Sequence, residues 1–187
     1  MRRASREVLE GLRQFDSATV FNAVVESLGA TQGGREMEGR GGILECYTGP
    51  EIRCLLPELG CIVGYAFTAE VTSNDPDSVA LPWDSYYESL EKTPGPTIAV
   101  IKDVDTRPGR GATFGDNMAA AHKALGAVGA VVDGTVRDLN GIRAVGMPVW
   151  GRGLVPGHGV FNLVRTGSPV VVGSLLIHPG ALLVADL

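Results

Sequence analysis

The chain has 187 residues, of which 44% are hydrophobic and 20% charged, and its formal net charge is −5. This composition is typical of a globular protein with a real core. The longest basic run is Arg2-Arg3, so a nucleic-acid-binding face is excluded because phosphate binding needs clustered cations. No apolar stretch reaches the ~20 residues of a membrane span, and the N-terminus lacks the apolar core of a signal peptide. We therefore expect a cytoplasmic protein that binds neither nucleic acid nor membrane.

Two helices are predicted near the N-terminus, within residues 5–29. Ser5 is a suitable N-cap for the first helix. The second helix, from Ser17 to Leu28, carries apolar residues at helical spacing and ends before Gly29, a typical helix stop. Asp16-Ser17 is the expected joint between them.

The next segments are predicted from composition and hydrophobic pattern. Residues 31–60 are rich in glycine and charge and predict turns. Residues 61–72 predict a strand of β-branched and aromatic residues. Several prolines follow, and residues 82–90 are expected to form a short helix or a lid, with Pro82 in its first turn.

A regular pattern of strand, loop, helix and strand begins at Thr97. Residues 97–103 and 126–133 contain apolar runs of strand length, separated by a loop over residues 105–115 and a helix over residues 116–125. This order predicts a βαβ unit, in which the strands are parallel and the crossover is right-handed.

The remaining segments are predicted to be short. We expect a turn over residues 134–138, a helix over residues 139–145 and a strand beginning at Pro148. Residues 167–184 contain short β segments separated by glycine and proline, which favour a hairpin or a barrel-like edge over another βαβ unit.

The first candidate site is the glycine-rich loop from Gly109 to Gly115, with the helix that begins at Asp116. Free backbone amides and the helix dipole favour an anion at a helix N-terminus. Taken alone, the loop is more typical of an ordinary glycine-rich connector, with Asp116 as a residue that stabilises the helix dipole. A dinucleotide site is less favoured, because the spacing is GxGxxxG rather than GxGxxG and residues 104–108 separate these glycines from the preceding strand.

The second candidate site is the charged segment from Asp133 to Asp138, at the carboxyl end of a buried strand, where ligands of open α/β sheets bind. Arg137 is suited to bind a carboxylate with two hydrogen bonds. Asp138 is a suitable ligand for Mg²⁺ or Mn²⁺, because such hard cations take one or two carboxylates and keep several waters. The alternative is a surface turn with a local ion pair between Arg137 and Asp138.

These two candidate sites are expected to lie at one edge of the sheet. A chain that passes from strand to helix to strand returns to the same edge, which brings Gly115–Met118 near Arg137-Asp138. The cleft would then hold anion-binding amides, one guanidinium and two carboxylates. The histidines lack metal-binding spacing, so we expect structural or surface roles for them.

One ordered pattern covers residues 111–153. It runs from G-[DE]-x-[LM] through a helix with small residues and G-x-x-G-x-V-x-D-G-x-x-R-D to a G-x-P-V strand, here GDNM, GAVGAVVDGTVRD and GMPV. This pattern resembles the RraA-like family, and weaker similarity covers residues 18–29, 68–71 and 169–180. The family includes 4-hydroxy-4-methyl-2-oxoglutarate aldolases, which also decarboxylate oxaloacetate, and the regulator of ribonuclease activity A.

The resemblance implies one swivelling α/β/β/α domain over residues 1–187, with a central βαβ unit and N-terminal helices. It also implies a homotrimer or a dimer of trimers with sites between subunits. Four consecutive backbone positions would bind a pyruvate-like carboxylate: Gly115, Asp116, Asn117 and Met118. Arg137 would bind the substrate and stabilise an enolate oxygen, and Asp138 would hold a divalent metal, Mg²⁺ or Mn²⁺, largely through waters. Asp116 would position a metal water or transfer a proton.

The implied function is a metal-dependent, class II-type pyruvate aldolase that cleaves 4-hydroxy-2-oxo acids like 4-hydroxy-4-methyl-2-oxoglutarate to pyruvate and decarboxylates oxaloacetate through a pyruvate enolate. The alternative is a non-catalytic, protein-binding regulator of ribonuclease activity. Members with that role can lack the aspartate after the arginine, so Asp138 favours the enzyme. Asn22 and Ala181 stand where relatives often carry aspartate, and these departures bear on efficiency and on the physiological substrate.

Overall fold

A mixed β-sheet forms the centre of the protein. In the computed structural model, which describes residues 3–27 and 46–187, eight strands form this sheet and two more form a hairpin. The helices are α1 (Arg6–Leu12), α2 (Ser17–Ser27), α3 (Trp83–Lys92), α4 (Asp116–Ala124) and α5 (Leu139–Val145). The strands are β1 (Arg53–Cys54), β2 (Ile62–Thr72), β3 (Thr97–Asp103), β4 (Ala112–Phe114), β5 (Ala127–Val136), β6 (Val149–Leu154), β7 (Asn162–Thr166), β8 (Val170–Val172), β9 (Leu175–Ile177) and β10 (Leu182–Ala185).

The two N-terminal helices begin where the sequence predicts. The Ser5 hydroxyl accepts a hydrogen bond from the Val8 backbone N–H at 3.3 Å, and Asp16 Oδ1 accepts one from the Thr19 backbone N–H at 2.6 Å. Both side chains cap a helix by satisfying an amide that has no partner within it. The predicted end of the second helix at Gly29 and most of the turns predicted within residues 31–60 lie outside the described residues.

The parallel strands are joined by helices, as the βαβ prediction requires. The strand order is β1-β6-β5-β3-β2-β10, with β4 beside β5 and β7 beside β2. Strands β2, β3, β5 and β6 form a parallel series, in which α4 and α5 make the crossovers from β3 to β5 and from β5 to β6. The predicted α/β class with a central βαβ unit and N-terminal helices is therefore confirmed.

Two boundaries near the candidate sites differ from the prediction. The loop predicted over residues 105–115 contains β4, and the turn predicted over residues 134–138 begins later because β5 continues to Val136. Thr135 lies opposite Ala112 of β4 and Gly153 of β6, so pairing on both sides extends the strand. Strand β5 therefore ends directly at Arg137.

The sheet is covered by helices on one face and by the β8–β9 hairpin on the other. Helices α3, α4 and α5 pack on the first face, where Tyr86, Ala119 and Ile142 are fully buried. The hairpin buries Val172 against the second face and confirms the short β segments predicted near the C-terminus. None of the helices within residues 3–27 and 46–187 is long and apolar enough to cross a membrane.

Candidate active site

The two predicted sites meet at the edge where β4 and β5 end. The Arg137 backbone N–H donates to the Phe114 carbonyl at 3.0 Å, which joins the ends of these strands. A Cβ atom on Gly115 would lie 3.3 Å from Asp138 Oδ2 and 3.5 Å from Arg137 Nε. The structure therefore brings Gly115 together with Arg137 and Asp138, and the absence of a side chain at Gly115 leaves room between them.

The first turn of α4 contains the backbone amides predicted to bind an anion. Gly115 occupies the N-cap position and has no side chain with which to cap the helix. Among the described residues, the Asp116 and Met118 amides have no acceptor, whereas the Asn117 amide donates to Asp116 Oδ1 at 2.7 Å. The amides of Asp116 and Met118 are thus available to an anion, and an anion at Asn117 would have to replace the Asp116 carboxylate.

Asp116 lies between the starts of α4 and α5. A Cβ atom on Gly141 would lie 2.6 Å from Asp116 Oδ2, closer than real side chains approach, so this glycine permits the contact between the helices. The sequence analysis missed Gly141. The feature that could have pointed to it is its position inside a predicted helix. A glycine there costs about 1 kcal/mol relative to alanine and is often retained for close packing.

Asp138 adopts a backbone conformation that most residues avoid. Its φ of 57° and ψ of 40° lie in the left-handed region, at the N-cap position of α5. Its carboxylate makes no capping hydrogen bond with α5; instead, Oδ2 lies 3.0 Å from Arg137 Nε. Because aspartate is among the best N-cap residues, this orientation favours a role for the carboxylate outside the helix.

Arg137 and Asp138 line an open cleft with a volume of about 330 Å³. The rest of the lining is apolar: Leu139, Leu154, Val155 and Pro156. The side chains of Arg137 and Asp138 are 33% and 42% exposed. The ion pair expected for a surface turn is therefore present. Exposed pairs of this kind contribute only about 0–1 kcal/mol to stability, so stability alone is a weak reason for its presence.

Asp133 lies on the opposite face of β5 and takes no part in this cleft. It is buried, with Oδ2 2.6 Å from Lys102 Nζ and Oδ1 hydrogen-bonded to Arg152 Nε, and it also accepts from the Gly173 amide at 3.3 Å. Burial alone would raise the pKa of this carboxyl, but its hydrogen bonds with the two cations lower the pKa below its ordinary value. The charged residues within 133–138, which the sequence grouped as one site, therefore lie in two places. Asp133 belongs to a buried ion-pair network, and Arg137 and Asp138 line the cleft.

A second buried carboxylate, Asp105, was also missed by the sequence analysis. It follows β3 and accepts hydrogen bonds from the Thr72 hydroxyl and from the backbone amides of Ser73 and Asn74, the latter two at 3.0 and 3.2 Å. Burial would raise the pKa of Asp105, but these donors lower it. Asp105 therefore joins the carboxyl ends of β2 and β3, a contact that its loop sequence did not reveal.

His122 of α4 has the structural role expected for the histidines. It is buried, its Nδ1 lies 2.7 Å from the Met118 carbonyl, and its Nε2 lies 2.7 Å from the Tyr86 hydroxyl. Because a carbonyl can only accept, Nδ1 carries the proton and the tyrosine donates to Nε2. Burial lowers the pKa of His122 to about 4, against the opposing effect of the Met118 hydrogen bond.

The residues at the cleft fit some metals better than others. Within the described part of the chain, no group of three or more His, Cys, Asp or Glu side chains is placed to hold a metal ion. A zinc site with three protein ligands is therefore a poor fit to this cleft. Asp138 offers one exposed carboxylate, which suits a hard cation that keeps most of its waters, such as Mg²⁺.

A second cavity, of about 340 Å³, lies at the other end of the sheet, between α1 and the start of β3. Its lining includes Leu9, Val63 and Pro96, with Arg6 and Glu10 paired at its rim. Ligands of parallel sheets bind at the carboxyl ends of the strands. The cleft beside Arg137, rather than this cavity, therefore has the position expected of an active site.

Sequence similarity to known proteins extends over most of the chain. The sequence model of the RraA-like family, described as Aldolase/RraA, matches residues 22–187. A protein of Halalkalibacterium halodurans named "Putative 4-hydroxy-4-methyl-2-oxoglutarate aldolase" is 33% identical over 127 residues. The match covers 67% of this chain and 56% of that protein, so the chain spans little more than half the length of this relative.

Solved structures share the fold at lower identity. RraAS2 of Streptomyces coelicolor, described as an unusual member of the RNase ES inhibitor RraA protein family, is 24% identical with a TM-score of 0.68, over 100% of this chain and 83% of its own. A structure described among novel cellulases from gut-associated microbes is 21% identical with a TM-score of 0.75, over 100% of this chain and 76% of its own. At these identities the likeness shows the fold alone, and it agrees with the α/β/β/α fold expected. The family match rests on sequence, and by it the chain belongs to the RraA-like family.

Proposed function

We propose that this protein is a divalent-metal-dependent lyase that cleaves 4-hydroxy-2-oxo acids to pyruvate and also decarboxylates oxaloacetate. The observation that carries the proposal is the position of Arg137 and Asp138, which lie across Gly115 from the start of α4. Family membership and the aldolase name of the relative at 33% identity support the same class of reaction.

The substrate carboxylate is proposed to bind at the start of α4. The uncapped amides of Asp116 and Met118 supply hydrogen bonds, and the helix dipole adds a favourable field for the negative charge. The backbone at Gly115 and Asn117 completes the binding turn. A 2-oxo acid held here places its oxo group toward Arg137, because the Gly115 position lies so close to that guanidinium.

Arg137 is proposed to stabilise the charge that develops on the oxo oxygen during the reaction. In aldol cleavage the C3–C4 bond breaks, its electron pair forms a pyruvate enolate, and the 4-hydroxyl gives up its proton as C4 becomes a carbonyl. In decarboxylation the C4 carboxylate leaves as CO₂ and the same enolate remains. Donors placed where negative charge develops are commonly the largest contribution to catalysis.

Asp116 is proposed to move the proton, since it lies beside the binding turn and is held between α4 and α5. It would take the proton from the 4-hydroxyl and return one to C3 of the enolate. Asp138 would hold the divalent cation, Mg²⁺ or Mn²⁺, which would supply Lewis-acid stabilisation of the charge on the oxo oxygen when bound.

The lysines of the chain are engaged elsewhere, which supports a mechanism without a Schiff base. Lys102 pairs with buried Asp133, Lys92 pairs with Glu88 at 3.3 Å, and Lys123 donates to the Val145 carbonyl at 2.5 Å. None of these three lines the cleft.

The experiment that tests this proposal is a pyruvate-release assay with oxaloacetate, with Mg²⁺ and with chelator. We expect Asp138→Ala to abolish the metal-dependent activity and Arg137→Ala to weaken it by about 100-fold or more, as for loss of an oxyanion donor. Arg143→Ala is the matched control, because this α5 arginine is exposed and pairs with Glu58 away from the cleft. Unchanged turnover in both cleft variants would refute the lyase.

A non-catalytic, protein-binding regulator of ribonuclease activity is the second candidate. It is favoured by the RraA structures that share this fold, one of which is described as belonging to a family of ribonuclease inhibitors. A protein that is inert to oxaloacetate at every metal tested, yet inhibits an endoribonuclease, would support the regulator over the lyase.

We also propose that residues 1–187 form one domain that assembles as a homotrimer or a dimer of trimers. The N-terminal helices support assembly, because Val8, Phe15 and Val24 are 51%, 52% and 40% exposed. Large apolar side chains exposed within one segment of the chain are candidates for contacts between subunits. Light scattering after size exclusion tests the proposal, and a particle of 19.6 kDa, the mass of one chain, would contradict it.

A further inference from the structure

The cleft beside Arg137 is lined by one ion pair and by four apolar residues. We call Arg137 and Asp138 its charged end, and Leu139, Leu154, Val155 and Pro156 its apolar wall. Leu154 is 55% exposed, so it presents a large hydrocarbon surface to solvent directly beside an ion pair.

The apolar wall is fixed to the same strand that carries the charged end. Leu154 lies opposite Val136 in the β5–β6 pairing, and the Val155 backbone N–H donates to the Val136 carbonyl at 3.1 Å. Arg137 follows Val136 immediately, and the ring of Pro156 restricts the backbone beyond the wall. The sheet therefore fixes Leu154 and Val155 relative to Arg137.

In the proposed binding mode, the substrate extends from the charged end to the apolar wall. The carboxylate lies at the start of α4 and the oxo group lies at Arg137, so the chain beyond C3 extends into the remaining part of the cleft. That part is the apolar wall. A hydrocarbon group gains free energy by covering Leu154 and Val155, whereas a carboxylate gains no such contact from these side chains.

We propose that the apolar wall selects 4-hydroxy-2-oxo acids whose C4 substituent is a hydrocarbon, over those that carry a carboxylate at C4. This inference rests on the proposed lyase function. The products are pyruvate and an aliphatic aldehyde: the C3–C4 bond breaks, the 4-hydroxyl loses its proton, and C3 of the pyruvate enolate gains one. No oxidant or second substrate is needed.

Two nearly isosteric substrates provide the test. The isopropyl group of 4-hydroxy-5-methyl-2-oxohexanoate replaces the C4 carboxylate of 4-hydroxy-2-oxoglutarate. We expect kcat/KM to be at least tenfold higher for the isopropyl compound. It should rise by about fourfold for each methylene added from methyl to ethyl to propyl, as expected for burial of one CH₂ group.

Variants of Leu154 assign the preference to the wall. Leu154→Ala should lower kcat/KM for the isopropyl substrate by about tenfold and leave the carboxylate substrate nearly unchanged, because it removes apolar contact worth roughly one to two buried CH₂ groups. Leu154→Arg should reverse the ratio of the two substrates. Leu176→Arg is the matched control, since Leu176 is 53% exposed on β9, away from the cleft, and should leave the ratio unchanged.

Oxaloacetate decarboxylation separates the proposed lyase from the proposed preference, because oxaloacetate has no substituent beyond its C4 carboxylate and so does not report on the C4 substituent. Absence of oxaloacetate turnover refutes the proposed lyase. Oxaloacetate turnover together with a preference for the C4 carboxylate refutes the role of the apolar wall and leaves the lyase intact. The same refutation follows if both Leu154 variants keep the wild-type ratio, including the case in which Leu154→Arg changes only the oligomeric state.

Discussion

Strand β5 and the turn after it carry two ion-paired aspartates that differ in burial and in the number of partners. Asp133 is 1% exposed and is paired with Lys102 and Arg152. The Asp138 side chain is 42% exposed and, among the described residues, its carboxylate contacts Arg137. The first carboxylate has its charge neutralised within the fold, whereas the second retains oxygen lone pairs that face the cleft.

These differences in burial and partners separate an ion pair that stabilises the fold from one whose carboxylate is accessible to a ligand. Asp133 accepts from the Gly173 amide as well, so it also fastens the β8–β9 hairpin to the sheet. Its removal leaves cations without a counterion in a partly buried place, which is costly. The pair of Arg137 and Asp138 contributes little to stability, because both side chains are partly exposed.

The largest effect on stability is expected for Asp133→Asn. The substitution keeps the shape of the side chain and removes the charge that Lys102 and Arg152 share. We expect the free energy of unfolding to fall by about 4 kcal/mol, within the range for a buried ion pair that loses one partner. Urea denaturation followed by circular dichroism measures this change. An unchanged midpoint would mean that the buried network does not stabilise the fold.

Burial of His122 makes the free energy of unfolding depend on pH. His122 has an unfolded pKa near 6.5 and a folded pKa of about 4. As the pH falls from 6.5 to 4, the unfolded state gains this proton first, so the free energy of unfolding should decrease by up to about 3 kcal/mol. Above pH 6.5 the effect is absent.

Unfolding curves of the wild type and of His122→Phe between pH 7 and pH 4.5 test this assignment. The loss of stability assigned to His122 should be absent in the variant, whereas the depressed pKa values of Asp105 and Asp133 act at lower pH and the raised pKa of buried Asp103 acts with the opposite sign. If the variant keeps the full dependence, another group is responsible. Tyr86→Phe, which removes the hydroxyl that donates to His122, serves as a control for the loss of that hydrogen bond.

A smaller effect is expected where the two helices of the cleft meet. Gly141→Ala would place a methyl group 2.6 Å from Asp116 Oδ2 and displace that carboxylate. We expect kcat for oxaloacetate to fall by about tenfold, because small misplacements of catalytic groups are costly. Gly11→Ala is the matched control: this helical glycine has open space around its Cβ position, so the variant should gain about 0.5–1 kcal/mol of stability and keep full activity. Equal activity of Gly141→Ala and wild type would remove Asp116 from the mechanism.

The sequence predicted those features that depend on local pattern. Strand β3 and helix α5 have the predicted bounds, because a buried apolar run and a short amphipathic segment are visible without knowledge of the partners. The meeting of Gly115 with Arg137 followed from βαβ topology, since a crossover returns the chain to the same edge. The roles of these residues remain predictions.

Features that depend on distant partners could not be predicted. Thr135 looked like part of a turn, because its pairing with β4 and β6 involves residues elsewhere in the chain. Asp133 appeared in the same charged segment as Asp138, and only the positions of Lys102 and Arg152 separate the two. Pairing and burial, rather than residue type, therefore decide which aspartate is structural.

The smallest effect on stability is expected for Asp138→Asn. This variant tests the difference between Asp133 and Asp138 most directly. Asparagine tolerates the left-handed backbone of this position, so the substitution removes charge without adding strain. We expect the free energy of unfolding to change by less than about 1 kcal/mol, because the lost ion pair is exposed. Metal-dependent decarboxylation should nevertheless disappear, because the amide is a poor replacement for the carboxylate that holds the cation. Parallel urea curves and pyruvate assays for Asp133→Asn and Asp138→Asn measure both effects. A loss of stability in Asp138→Asn as large as that in Asp133→Asn would show that the cleft pair holds the fold, and the distinction between the two aspartates would fail.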